Sequence, residues 1–396
     1  METIELAPFS AELKADPYSV YAELRVRGPV HRARFPHSRE CWLIVGYQEA
    51  RAALADPRMR KDPAVAGAEY WEERYFVEHM LNSDPPRHTR LRGLIAGAFT
   101  TGRIESMRPR VQQVVDRLLD DMLTHPDGSA DLVRDLALPL PITVICDLIG
   151  VPDLDRETFS TWSNQTLAPS SHEAYESAYH GLKSYLPELI EAKRRLPGDD
   201  LMSDLIRTTD DDGDRLSETE LRAMALLLLI AGHETTVNLI SNGVRALLEH
   251  PGQLAALRAD PSLLDSAVEE MLRYEGPVEN ATLRYTAEPV EIGGTRIPAR
   301  ENVIISLASA HRDPERFTDP DRFDIRRDPR GHIAFGHGLH HCLGAPLARM
   351  EGRIAVGTLL ERCPDLSLDI DHADLQWWPG LLIRGVRSLP VRFTPC

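Results

Sequence analysis

Lysine is scarce in this chain: of 45 basic residues only Lys14, Lys61, Lys183 and Lys193 are lysine, and arginine supplies the others. That bias fits a GC-rich coding sequence better than a binding chemistry. Acidic residues number 61 and the net charge is −16, with a pI near 5.4. No basic surface can dominate, which argues against general nucleic-acid binding. A partner that docks through charge must find a local basic patch. Cysteine is also sparse. Cys41, Cys146, Cys342, Cys363 and Cys396 are odd in number and far apart, which fits a reducing cytosol and not a disulfide framework. The longest strongly apolar run, Ala223 to Ala231, is too short to cross a bilayer. The opening METIELAPFS lacks a basic region followed by an apolar core, so no signal peptide or membrane association is expected and the protein is expected in the cytoplasm. No glycine fingerprint for a flavin or nicotinamide dinucleotide is visible.

What remains reads as a single domain over residues 1–396, mainly α with a minor β part, an α+β class. The β-containing parts are expected at about 30–46 and 278–306, and the helical core at about 84–275 and 345–362. Cys41 to Val45 forms a compact β-like run, and a helix follows over Gln48 to Ala55. Residues 61–82 read as a long loop, and 311–344 as irregular. The clearest element begins at the capping box of Ser217 and Glu220 and runs to His250, where Pro251-Gly252 stops it. At 1.5 Å per residue it is roughly 50 Å long. A second helix start is expected at Ser83-Asp84-Pro85-Pro86, with Asp84 as N-cap and Pro85 in first helical position.

The most informative segment is FGHGLHHCLG, residues 335–344. Gly336, Gly338 and Gly344 permit tight turning around Cys342 and leave N–H groups free to favour its thiolate. The helix expected to start at Gly344-Ala345-Pro346 adds its positive end. Such a thiolate is what a thiolate-ligated haem iron needs. Two other readings fit the cysteine alone: a packing residue, or a zinc ligand together with His332, His337, His340 and His341. Three further patterns bear on the choice. AGHETT, residues 231–236, interrupts the long apolar helix with small residues, Ala231 and Gly232, against which something can lie. It then adds an acid–alcohol pair, Glu234 and Thr235, able to relay protons. Glu270 and Arg273 face the same way at i, i+3, and with Arg322 they form an expected Arg–Glu–Arg cluster that locks the cysteine loop. His88 and Arg92 fall at i, i+4 as a cationic pair suited to carboxylates.

Along the chain these motifs follow A-G-x-[DE]-T-T, ExxR, the meander arginine and F-G-x-G-x-H-x-C-x-G, matched at every fixed position, and the chain resembles soluble bacterial cytochrome P-450 enzymes along its length. SDPPRHTRLR, AGHETTVNLISNG and VEEMLRYEGPVENAT resemble the macrolide hydroxylases of antibiotic pathways in particular. The resemblance implies the cytochrome P-450 fold, with haem b lying between the long helix and the cysteine loop with its following helix. It implies Cys342 as axial thiolate, with Phe335, Gly336 and Gly344 shaping the loop, and His88, Arg92, Arg284 and His340 on the haem propionates. Glu234 and Thr235 would deliver protons for cleavage of O2, with Ala231 and Gly232 as the oxygen groove. His341 would simply be accommodated. The implied reaction is hydroxylation or epoxidation of a bulky hydrophobic natural product of macrolide or polyketide type, with terpenoid, steroid and peptide substrates as alternatives. Substrate contacts would come from residues 62–82, Asn164 to Ala168, the long helix, residues 278–283 and the Leu381–Leu382 turn. Glu69, Glu72, Glu73 and Glu78 offer a partner for an amino sugar, or a solvated acidic face. Electrons would come from a ferredoxin and its ferredoxin reductase, docking near Arg103, Arg108, Arg110 or Arg349, and the enzyme would be monomeric. A haem sensor or carrier without turnover is the alternative of a different class; it leaves the acid–alcohol pair unexplained.

Overall fold

The computed structural model describes residues 3–6, 11–34, 40–67, 78–152, 156–167, 171–207 and 215–395. The chain divides into two compact units: residues 1–68, 115–137 and 235–396, and residues 69–114 and 138–234.

The first unit carries all the described strands. Its main sheet runs in the order Thr3–Glu5, Val30–Arg34, Glu40–Ile44, Asn302–Ile305, Arg284–Thr286, Met59–Arg60. The strand expected at Cys41 to Val45 is Glu40–Ile44, and its alternation explains its place. Trp42 and Ile44 join one buried cluster, while Cys41, Leu43 and Val45 join another, as period-two side chains must when both faces of a sheet are covered. Arg284 pairs with Val303, and Arg60 with Tyr285, so a buried arginine sits within this sheet. The Gly293-Gly294 turn joins Val290–Ile292 to Thr295–Ile297, both glycines at positive φ.

Two helices of this unit matter for the site. Leu264–Tyr274 buries Ala267, Val268, Met271 and Leu272 along one stripe. Ala345–Arg362 follows the cysteine loop and has the bounds expected from the sequence. A Cβ on its Gly352 would lie 3.2 Å from Leu239 and 3.6 Å from Val268, so the glycine lets helices cross closely.

Among its described residues the second unit has helices and no strands, with Arg87–Ala96, Pro139–Ile149, Arg156–Leu167, His172–Arg195 and Leu201–Arg207. The long helix, Glu218–Glu249, belongs to this unit up to Glu234 and to the first unit from Thr235 onward. The capping box forms as expected. Ser217 N–H donates to Glu220 Oε2 at 3.0 Å, and Glu220 N–H donates to Ser217 Oγ at 3.2 Å. The helix is long and apolar enough to cross a membrane, yet 72% of its most apolar window is buried in protein, as a core helix requires. Pro251 does not leave a loop: a new helix, Pro251–Ala259, starts there at once. The other expected start needs correction. The helix at Ser83-Asp84-Pro85-Pro86 begins at Arg87 with Pro86, not Asp84, at its N-cap, and the Asp84 backbone carbonyl accepts from His88 N–H at 2.9 Å. Pro85 cannot open a helix comfortably because Pro86 follows it, and a residue before proline is pushed out of the α region.

Candidate active site

The cysteine loop is built by its glycines. Gly336 and Gly338 adopt φ of 74° and 73°, a region that glycine enters without penalty. Gly338 has a second reason: a Cβ there would meet Ala55 Cα at 2.9 Å and Leu54 O at 3.0 Å. The loop closes when Cys342 N–H donates to Phe335 O at 2.8 Å. Cys342 is exposed, whereas Cys41, Cys146 and Cys363 are buried. Its Sγ lies 3.9 Å from where a Cβ on Gly344 would stand, and Gly344 caps Ala345–Arg362. The sulfur is therefore beside a helix N-terminus, which favours the anion.

Phe335 is held from several sides. Arg349 stacks over its ring at 4.4 Å, and the rings of His332 and His341 lie 6.3 and 6.4 Å away. Arg349 is fixed in turn by two bonds to Glu269, at 2.5 and 2.8 Å, and His332 Nε2 reaches the same carboxylate at 2.7 Å. Burial would raise the Glu269 carboxyl, but Arg349 and His332 outweigh it and hold it at about 2. The sequence reading missed Glu269; its only signal was a second acid beside Glu270. Among the described residues no group of three or more His, Cys, Asp or Glu is placed to hold a metal ion, so the zinc reading loses its ligand set.

Glu270 and Arg273 pair as expected, at 2.7 and 2.8 Å, both buried. Arg273 also donates to the carbonyls of His311, Pro320 and Arg322. The third member of the cluster is not the one expected. The Arg322 side chain is 63% exposed and reaches only Asp324, at 3.8 Å. Arg327 Nε approaches Glu270 instead, at 3.4 Å. With the Asp324 N–H also bound to Glu270 at 2.8 Å, the turn after Asp324 directs Arg327 to the remaining side of the carboxylate. Both arginines lie in irregular chain, where spacing carries no facing information.

In the helical unit, His88 and Arg92 lie on the Arg87–Ala96 helix, His88 buried. Burial and then the charge of Arg92 push the His88 imidazole below its ordinary pKa. At mid-helix, Ala231 is exposed and Gly232 half-buried, flanked by buried turns on both sides. Gly232 needs correction. A Cβ there would meet Ile145 Cδ1 at 2.7 Å, so the space it leaves is filled by the helix Pro139–Ile149, and the small-residue opening is at Ala231. Glu234 is buried; Thr235 follows it, half-buried, in the first unit. Arg284 is buried and donates to Met59 O at 3.2 Å. His340 ends the short turn Gly338–His340.

Two of the expected substrate-facing segments meet within the first unit. Glu279 N–H donates to Leu382 O at 2.9 Å and Asn280 Nδ2 donates to Leu381 O at 2.6 Å. Residues 164–167 end the helix Arg156–Leu167, while Ala168, Glu69, Glu72 and Glu73 lie outside what is described. Glu78 is paired with Arg87 at 3.0 Å, so its charge is already spent inside the protein. The arginines expected to meet an electron donor are paired too: Arg103 with Asp204, Arg108 with Glu105 at 2.8 Å, Arg110 with Asp147 at 2.7 Å and Arg349 with Glu269.

The family profile described as Cytochrome P-450 matches residues 7–176 and 159–369. The chain belongs to the cytochrome P-450 family. It is 56% identical over 391 residues to the cytochrome P-450 monooxygenase PikC of Streptomyces venezuelae, covering 98% of this chain and 94% of that protein. It is 46% identical to the 6-deoxyerythronolide B hydroxylase of Saccharopolyspora erythraea, over 97% of each. The solved tirandamycin C-bound P-450 monooxygenase TamI superposes with a TM-score of 0.91 at 45% identity, covering 99% of this chain and 100% of that one. The mainly helical fold with minor sheets is the cytochrome P-450 fold. As a cytochrome P-450 the chain is a monooxygenase that uses haem iron and O2, acts on a small hydrophobic substrate and takes electrons from redox partners. Within the first unit the residues present fit a haem: an exposed thiol at Cys342 beside a helix N-terminus and a buried guanidinium at Arg284.

Proposed function

We propose that this cytochrome P-450 hydroxylates or epoxidises a macrolide or polyketide in secondary metabolism, working in the cytoplasm as a monomer whose whole chain acts as one domain. The observation that carries the substrate class is the 56% identity to PikC across 98% of the chain, supported by the 6-deoxyerythronolide B hydroxylase relationship. Haem b is the proposed cofactor, and Cys342 would hold its iron. Bound there, haem iron supplies O2 activation and transfer of one oxygen atom to a C–H or C=C bond. His88, Arg92, Arg284 and His340 are the proposed holders of the two propionates, with Arg92 and Arg284 giving charge and His88 giving an N–H. Phe335, Gly336 and Gly344 shape the thiolate loop, and the Glu270–Arg273 pair with Arg327 fixes the chain leading into it. Ala231 leaves room for O2. Thr235 holds a proton at its Oγ, and Glu234 resupplies it from its carboxyl.

A ferredoxin, itself reduced by a ferredoxin reductase, is the proposed electron donor. Arg108 and Arg110 are the more available docking cations, their side chains 45% and 41% exposed. Reversing either charge should slow reduction most at low salt, an effect that disappears as salt screens it; rates unchanged at low salt would remove these residues from the docking surface. The substrate class is tested by titrating the enzyme with macrolides, polyketides, terpenoids, steroids and peptides and recording the low-to-high spin shift. A shift with a macrolide or polyketide supports the reading, whereas shifts confined to the other classes overturn it.

A further inference from the structure

His233 occupies the variable position of AGHETT and is completely buried. Its Nδ1 lies 2.9 Å from Leu229 O, the carbonyl one turn back in the long helix. A carbonyl can only accept, so Nδ1 carries the hydrogen and the neutral ring presents a bare lone pair at Nε2. Among the described residues that Nε2 has no hydrogen-bond partner, and a buried acceptor left unpaired is destabilising. Glu234 Oε2 stands 3.9 Å away, just beyond hydrogen-bond distance. The two states of that acid meet the lone pair differently. A carboxylate facing it is acceptor against acceptor and is repelled; a carboxylic acid can donate its O–H to Nε2.

We propose that His233 is a positioning residue for Glu234: its Nε2 lone pair holds the proton on Glu234 Oε2, so the acid enters each turnover already protonated. The step is a proton transfer alone. Glu234 releases the proton held at Oε2 toward Thr235 and recovers one from solvent, with Nε2 again accepting the new O–H. The inference rests on the proposed role of Glu234 as proton donor. Burial outweighs the Leu229 bond and pushes the His233 imidazole down to about 4, which keeps the ring neutral through the working range. The element packed at this point within the unit is Pro139–Ile149, whose Ile145 meets Gly232. Its titratable groups are the buried thiol of Cys146 and Asp147, the latter neutralised by Arg110.

The test is infrared titration of the haem-loaded enzyme, following the C=O band of protonated Glu234, identified by its loss in Glu234→Gln. In His233→Phe the midpoint of that band should fall by about one pH unit, a tenfold loss of proton affinity. In His233→Gln, whose amide oxygen restores an acceptor, it should stay near the wild type. An unchanged midpoint in His233→Phe overturns the proposal. If His233→Phe does not fold, nitrogen-15 NMR of the wild-type ring decides: the Nδ1–H neutral tautomer supports the proposal, and an Nε2–H or charged ring overturns it. Normal coupling of electrons to product in Glu234→Gln would instead defeat the donor role of Glu234 and leave the infrared result standing.

Discussion

The two oxygens of Glu270 accept from Arg273, from the Asp324 N–H and from Arg327, all around one buried point. Removing one member of such a cluster strands a charge out of water, at a cost of about 3–5 kcal/mol. Glu270→Gln and Arg273→Lys should therefore lower denaturant stability strongly. Arg327→Ala should cost about 1–2 kcal/mol, and Arg322→Ala less than about 0.5 kcal/mol because its side chain points to solvent. Chemical denaturation of the pair checks this, and equal losses would restore Arg322 to the cluster. The acid–alcohol pair makes its own prediction. Thr235→Ala and Glu234→Gln should keep substrate binding but divert electrons to peroxide, cutting product per electron pair by about 10²-fold. Measured peroxide that does not rise would argue that neither group moves a proton.

At the scale of elements, local chemistry was readable wherever it needed no distant partner. The Ser217–Glu220 capping box and the Ala345–Arg362 helix came directly from spacing and end signals. Where a second element decides, the sequence was silent or misleading. Gly232 reads as an open groove, but whether a missing side chain leaves a void depends on what packs there, and here it is Ile145. Gly232→Val should overpack this crossing and destabilise the enzyme by about 1–3 kcal/mol. Ile145→Ala in the same chain should recover part of that loss. Simple additivity of the two changes, measured by thermal unfolding, would mean the residues do not share the space.

Across the whole molecule, carboxylates paired with arginines set the response to acid. Burial would raise the Glu275 carboxyl, but the charges of Arg384, Arg245 and Arg312 outweigh it and hold it at about 2. Glu269 is held at about 2 by Arg349 and His332. Both folded values lie below the ordinary 4.5, so their contribution is complete above that pH and is lost as pH falls toward about 2. Acid unfolding should be steep in that window and shallower in Glu269→Gln, provided the variant is compared at its own neutral-pH stability. None of the Glu275 cluster was visible beforehand, because its members come from residues far apart in sequence. The four chemical motifs were legible for the opposite reason: each is short and fixed in spacing.

The account depends most on Cys342 being the ligand of the haem iron, and the spectrum of the reduced, carbon-monoxide-bound enzyme tests that directly. A strongly red-shifted Soret band in the wild type, lost in Cys342→Ala, is the result expected of thiolate ligation at this position. A wild-type enzyme without that band, or a Cys342→Ala variant that retains it, would contradict the assignment.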